Sequence, residues 1–145
     1  MISVGWIKDP SPVWDHIKRF MADDGGELIK EGQFIGAFSE GALAGAWLVK
    51  PWNNITYEIH GGVHPDYWGD SEPLYRAMGI HLFKFTPCLK LIAIIPSCNP
   101  LVRKMAIRLG MAHEGTVKDS FQKNWKLYDQ FIYGITKGDA LCQRP

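Results

Sequence analysis

The chain has 145 residues, 46% hydrophobic, 12% aromatic and 21% charged, which is enough apolar side chain for one sizeable core in a single domain, residues 1–145, and too much for a disordered chain. Sixteen Lys and Arg stand against fifteen Asp and Glu, a formal charge of +1, and this excludes a protein held to nucleic acid by bulk charge.

Residues 2–7 are short and apolar and are followed by Pro10 and Pro12, which predicts an opening strand that ends in a turn. Val13, Trp14, Ile17, Phe20 and Met21 repeat at helical spacing, so a helix is expected over Val13–Ala22, with Ser11 as cap, Pro12 in its first turn and Asp23-Asp24-Gly25-Gly26 as its end. The period then shortens. Phe34–Phe38, Ala42–Val49 and Ile55–Val63 read as a three-stranded antiparallel meander. Ser71 is expected to cap a helix that buries Leu74, Met78, Leu82 and Phe85, and Pro87 to stop it. Leu89–Ile95 has the composition of a strand buried on both faces. Asn99-Pro100 supplies a cap and a first-turn proline for a helix with Leu101, Val102, Met105 and Leu109 on its buried stripe, Arg103, Lys104 and Arg108 on or beside its polar side, and Gly110 as its stop. Two β-like runs, Ala112–Phe121 and Leu127–Thr136, close the chain around a turn at Gln122–Asn124. This order predicts an α/β (α+β) fold, a mixed, mostly antiparallel central sheet flanked by helices.

The charge is unevenly placed: residues 1–99 carry eight basic and eleven acidic side chains and residues 100–145 eight and four, netting −3 and +4. Cys88, Cys98 and Cys142 form no even framework and no zinc-type spacing, so free thiols and no metal site are expected. The first nine residues lack a signal-peptide pattern, and no apolar run nears the ~18 residues of a membrane span. A cytoplasmic protein without a membrane or nucleic-acid partner is the expectation.

Three segments carry a resemblance: Val63-His64-Pro65-Asp66-Tyr67-Trp68-Gly69, Asn99 through Leu109-Gly110-Met111-Ala112-His113-Glu114-Gly115, and Asp129-Gln130-Phe131-Ile132-Tyr133-Gly134. Together with the element order they resemble the GNAT superfamily of acetyl-CoA-dependent N-acetyltransferases. The last segment is most similar to the branch that acetylates protein N-termini. The resemblance implies transfer of an acetyl group from acetyl-CoA to a primary amine, in a gap where the family's fourth strand splays from its fifth. By position that fourth strand is Ile55–Val63. The resemblance implies that Val63 supplies a backbone N–H to the thioester oxygen and that Asn99 stands near the pantetheine. Glu58 and His60, two apart on the strand, would share the face turned toward the amine and accept its proton.

The family's phosphate loop, Gln/Arg-x-x-Gly-x-Gly/Ala, aligns with Trp68-Gly69-Asp70-Ser71-Glu72-Pro73. Gly69, Asp70 and Ser71 are therefore the implied cofactor contacts. Ser71 and Pro73 replace the small residues, Pro73 removes an amide donor, and Asp70 and Glu72 bring negative charge to an anion site, so altered or impaired acetyl-CoA binding is expected. Ala106 stands where one branch carries a Tyr that protonates the leaving thiolate. Against the enzyme reading stands a non-catalytic GNAT-fold binding or assembly protein with a protein partner. In this the chain resembles short GNAT-like proteins of tailed bacteriophages with such loops, some of them associated with head or virion assembly. Cys98 before a helix N-terminus, with His113 as base, is expected to be a small packed residue and not a nucleophile. Arg103, Lys104 and Arg108 are expected on a solvated helix face. Tyr67 and Trp68 are candidates for lining the amine or acyl pocket or for anchoring a protein interface.

Overall fold

The computed structural model describes residues 1–17 and 32–142. Its strands are β1 (Ile2–Ile7), β2 (Gln33–Ser39), β3 (Ala42–Pro51), β4 (Thr56–Val63), β5 (Lys90–Pro96), β6 (Ala112–Lys123) and β7 (Lys126–Thr136). Its helices are α1 (Ser11–Ile17), α2 (Ser71–Phe85), α3 (Pro100–Arg108) and α4 (Lys137–Cys142), and a 3-10 turn over Pro65–Asp70 joins β4 to α2. Among the described residues the strands form one seven-stranded sheet in the order β1-β2-β3-β4-β5-β7-β6. All pairs are antiparallel except β4–β5.

Alternation along the strands sends neighbouring residues to opposite faces. Trp47 and Val49 join Leu74, Met78 and Leu82 of α2 in one cluster, whereas Ala46 and Leu48 join Val13, Trp14 and Ile17 of α1 in the other. The meander, the central β5 and the position of the helix after Asn99 follow the sequence expectations. The three cysteines are free thiols, and burial pushes the Cys88 thiol up.

Several expectations are corrected. Ser11 is the first residue of α1 and not its cap: the Asp9 carboxylate accepts its N–H at 3.0 Å, and the Pro10 carbonyl accepts from Val13 and Trp14. The expected continuation to Ala22 and the Asp23–Gly26 stop lie outside the described residues. Ser71 is likewise inside α2, with Asp70 at the cap position but giving no side-chain cap, because the 3-10 turn runs straight into the helix. Phe85 ends α2 and is 73% exposed, while Phe83 is buried in its place. The buried face of α2 is wider than one stripe because α4 packs beside the helix as well as the sheet beneath it.

On α3 the expected buried stripe fails. Only Ala106 is buried, and Leu101 and Val102 are 72% and 38% exposed. The helix meets the sheet through its last turn, where Met111 N–H reaches the Ala106 carbonyl at 3.0 Å and Leu109 packs on the core. The last hairpin turns at Asn124-Trp125, later than expected. α4 was not foreseen, although Thr136 Oγ1 accepts the Asp139 N–H at 3.1 Å, a capping contact legible in the Thr136-Lys137-Gly138-Asp139 spacing.

Candidate functional site

β4 and β5 pair only over Thr56–Glu58 and Lys90–Ile92. Beyond Glu58 the strands have no shared register, so a gap opens toward Val63 and Pro96. The N–H and C=O of one residue in a strand point to the same side, and those of the next residue to the other. His64 N–H reaches the Ala44 carbonyl on the β3 side at 2.7 Å, so Val63 and Gly61 turn their backbone groups toward the gap. The gap thus has the edge that an amide-bearing chain would need.

Two side chains already use that edge. Trp68 Nε1–H donates to the Val63 carbonyl at 2.8 Å, and the Tyr75 hydroxyl lies 3.5 Å from the Gly61 carbonyl. Burial pushes the Tyr75 phenol up, so it stands there as a neutral hydroxyl. Sequence reasoning missed Tyr75; its sole signal was a place on the broad apolar side of α2. An apolar cavity of about 120 Å³ lies alongside, with Ile59, Tyr75, Met78, Leu91 and Leu109 among its walls.

Along the 3-10 turn and into α2 some backbone donors are committed or missing. Ser71 N–H is committed to the Trp68 carbonyl, Pro73 has no N–H, and Asp70 is exposed at the cap position. Gly69 has open space at its Cα. Glu72 is held by Arg76 at 3.2 Å, and Arg76 also donates to the Arg108 carbonyl at 2.9 Å, so this arginine ties α2 to α3. Asn99 occupies the cap position of α3 without a side-chain cap bond.

Glu58 and His60 do come together. The His60 Nε2 contacts Glu58 Oε2, and Trp52 Nε1–H donates to Glu58 Oε1 at 2.7 Å. Glu58 is buried. Burial by itself would push its carboxyl up, but the hydrogen bonds from His60 and Trp52, with the charges of His60 and Lys50, outweigh that and hold it below the ordinary carboxylate value. The stabilisation from this pair is full above the pKa of a free Glu and drains as pH falls through the lowered folded value. Acid-unfolding curves of Glu58→Gln are therefore expected to show a shallower loss of stability below the free-Glu pKa than the wild type shows.

At the Val63 end of the gap Asp15, His16, His64, Pro65 and Asp66 surround a polar depression. His16 and His64 have ring centroids 4.4 Å apart, and His64 Nδ1 accepts the Asp66 N–H at 3.0 Å. Arg103 is exposed on the helix face as expected, and there its Nε donates to the Tyr133 hydroxyl at 2.7 Å and its guanidinium lies over the Phe131 ring. His113 bonds the Gly115 carbonyl and Thr116 hydroxyl. Among the described residues no three His, Cys, Asp or Glu side chains converge as a metal site, and no helix is long and apolar enough to cross a membrane.

Solved structures share this architecture. Spermidine N-acetyltransferase from Vibrio cholerae, in complex with CoA and spermine, aligns at a TM-score of 0.76 and 14% identity over 97% of this chain and 98% of its own. A GNAT family acetyltransferase from Elizabethkingia anophelis with acetyl-CoA bound aligns at 0.73 and 18%, over 93% and 97%. A GNAT family acetyltransferase from Bacillus anthracis aligns at 0.62 and 22%, over 72% and 66%. No protein-family model and no curated protein matches the chain. The GNAT fold is what these superpositions establish.

Proposed function

We propose that the protein is an N-acyltransferase that moves an acetyl group from acetyl-CoA to a primary amine. The observation that carries this is the Glu58–His60 pair beside the point where β4 leaves β5. An attacking ammonium must lose a proton. His60 would accept it, and Glu58, kept anionic by Trp52 and Lys50, would face the imidazolium that forms. The Val63 N–H, on the gap side of β4, is the proposed donor to the carbonyl oxygen under attack. Asn99 at the start of α3 and the Gly69–Ser71 turn are the proposed donor-side contacts. The polyamine bound by the Vibrio cholerae neighbour supports an amine as acceptor.

A second reading is favoured by a different observation. Trp68 and Tyr75 hold the Val63 and Gly61 carbonyls, as they would in a binding or assembly protein that has kept the sheet and lost the donor. Titration calorimetry with acetyl-CoA separates the two. Trp68→Ala is expected to bind acetyl-CoA at least about tenfold more tightly than the wild type, since it frees a buried acceptor worth about 1–2 kcal/mol. If neither protein binds at high micromolar acetyl-CoA, the acyltransferase reading fails and the second stands.

A further inference from the structure

The β6–β7 hairpin extends past the rest of the sheet. β7 pairs with β5 only from Gln130 onward, and the Asp129 carbonyl accepts the Ser97 N–H, so Lys126–Tyr128 and their β6 partners project by about 10 Å at 3.3 Å per residue. The tip is a two-residue turn with Asn124 at φ 51° and Trp125 at φ 66°. Both central residues of such a turn lie in the left-handed region, and its second position is normally glycine. Trp125 takes that position and is 92% exposed. Lys123 and Lys126 sit directly opposite one another, a like-charged cross-strand pair that weakens a hairpin. Two features of one tip, the left-handed Trp125 and the Lys123–Lys126 pair, thus oppose the stability of the hairpin that carries them, while the Trp125 ring itself packs on nothing that would offset them.

The place of the tip identifies what it meets. β4 and β5 are parallel and β7 is antiparallel to β5, so the tip stands at the same end of the sheet as Val63, the 3-10 turn and the first turn of α3. That end also carries exposed Leu101 and Trp68, the latter 48% exposed, and the acidic side chains of Asp66 and Asp70, with Asp66 82% exposed. A basic aromatic tip and an acidic aromatic turn on one end of one chain complement each other between two copies. Set end to end about a twofold axis, each copy offers its tip to the other's turn, and the contact closes on itself.

We propose that this end of the sheet is a self-association surface, with Trp125, Lys123 and Lys126 of one copy seated against the Asp66–Asp70 turn of a second. The seat shares the 3-10 turn with the proposed donor-side contacts, and sedimentation without acetyl-CoA reads association alone. It accounts for the exposure of Leu101 and Val102, which a partner copy would cover. It also gives the uneven charge of the chain a role, since the basic C-terminal part of one copy meets the acidic part of the other.

Sedimentation velocity from low to high micromolar protein, at low and high salt, tests it. The expected result is a reversible dimer that salt weakens at least about tenfold. Trp125→Gly is expected to weaken the dimer by a similar factor while melting a few degrees higher, because glycine relieves the turn. That opposition of signs separates a lost contact from a lost fold. Lys123→Glu with Lys126→Glu should leave a monomer, and adding Asp66→Lys and Asp70→Lys should restore the dimer. A wild-type chain that stays monomeric at high micromolar concentration and low salt overturns the proposal, as does a dimer that Trp125→Gly leaves unchanged.

Discussion

Gly61→Ala is expected to destabilise the protein by about 3–5 kcal/mol, a large share of the ~5–15 kcal/mol typical of a domain. Gly61 has φ 147°, and a Cβ there would lie 2.1 Å from the Ala46 carbonyl oxygen and 2.8 Å from the Trp47 Cα. Both obstacles are backbone of the adjacent strand, so no side-chain rotation relieves them. The residue stands in the part of β4 that has left β5 and opposite Trp47 in the β3 register, so any shift that accommodates a methyl group moves the edge of the gap. Gly5→Ala is the control: it also lies in a strand but meets nothing within 4 Å, and it should change stability by less than about 0.5 kcal/mol. Urea denaturation of the two variants measures the difference. Equal midpoints would show that the close approach at Gly61 has been misjudged.

Glu58→Gln is expected to lower kcat/KM for acetyl transfer by about 10²–10³-fold while the protein remains folded. Glutamine keeps the shape and can still accept from Trp52, but it lacks the negative charge that faces a protonated His60. His60→Ala should lose a comparable factor, and the double variant should lose little more than either one, because the two side chains act as a unit. Losses that instead multiply would separate the residues into independent roles. Steady-state rates with an amine acceptor, taken with a circular dichroism check of folding, decide the matter. Equal activity in all three proteins would remove the pair from the chemistry.

The face shared by Glu58 and His60 was legible because strand alternation is strictly local: residues two apart project together wherever the strand lies. The position of Asn99-Pro100 at the start of α3 was legible for a similar reason, since a proline without an N–H suits a first turn in any context. The apolar pattern of α3 was also present in the sequence, yet Leu101 and Val102 face outward. Periodicity says that a helix has an apolar face. It does not say that another element is within reach of it. At Ser71 the local cap signal was overridden when the 3-10 turn ran on into α2 and committed the serine N–H to Trp68.

The sequence by itself determined the element order as far as the last strand, the mixed sheet and the residue types offered to the gap, because these follow from propensity, period and turn chemistry within short windows. Only the tertiary structure decided where the side chains after Val63 go. Trp68 lies five residues from Val63 and Tyr75 fourteen residues from Gly61, and their bonds to the strand edge require both the splay of β4 from β5 and the angle at which α2 returns across the sheet. The projection of Trp125 likewise depends on where β5 stops pairing with β7. Contacts of this kind are set by the packing of several elements at once, and the residue pattern within a window does not fix them.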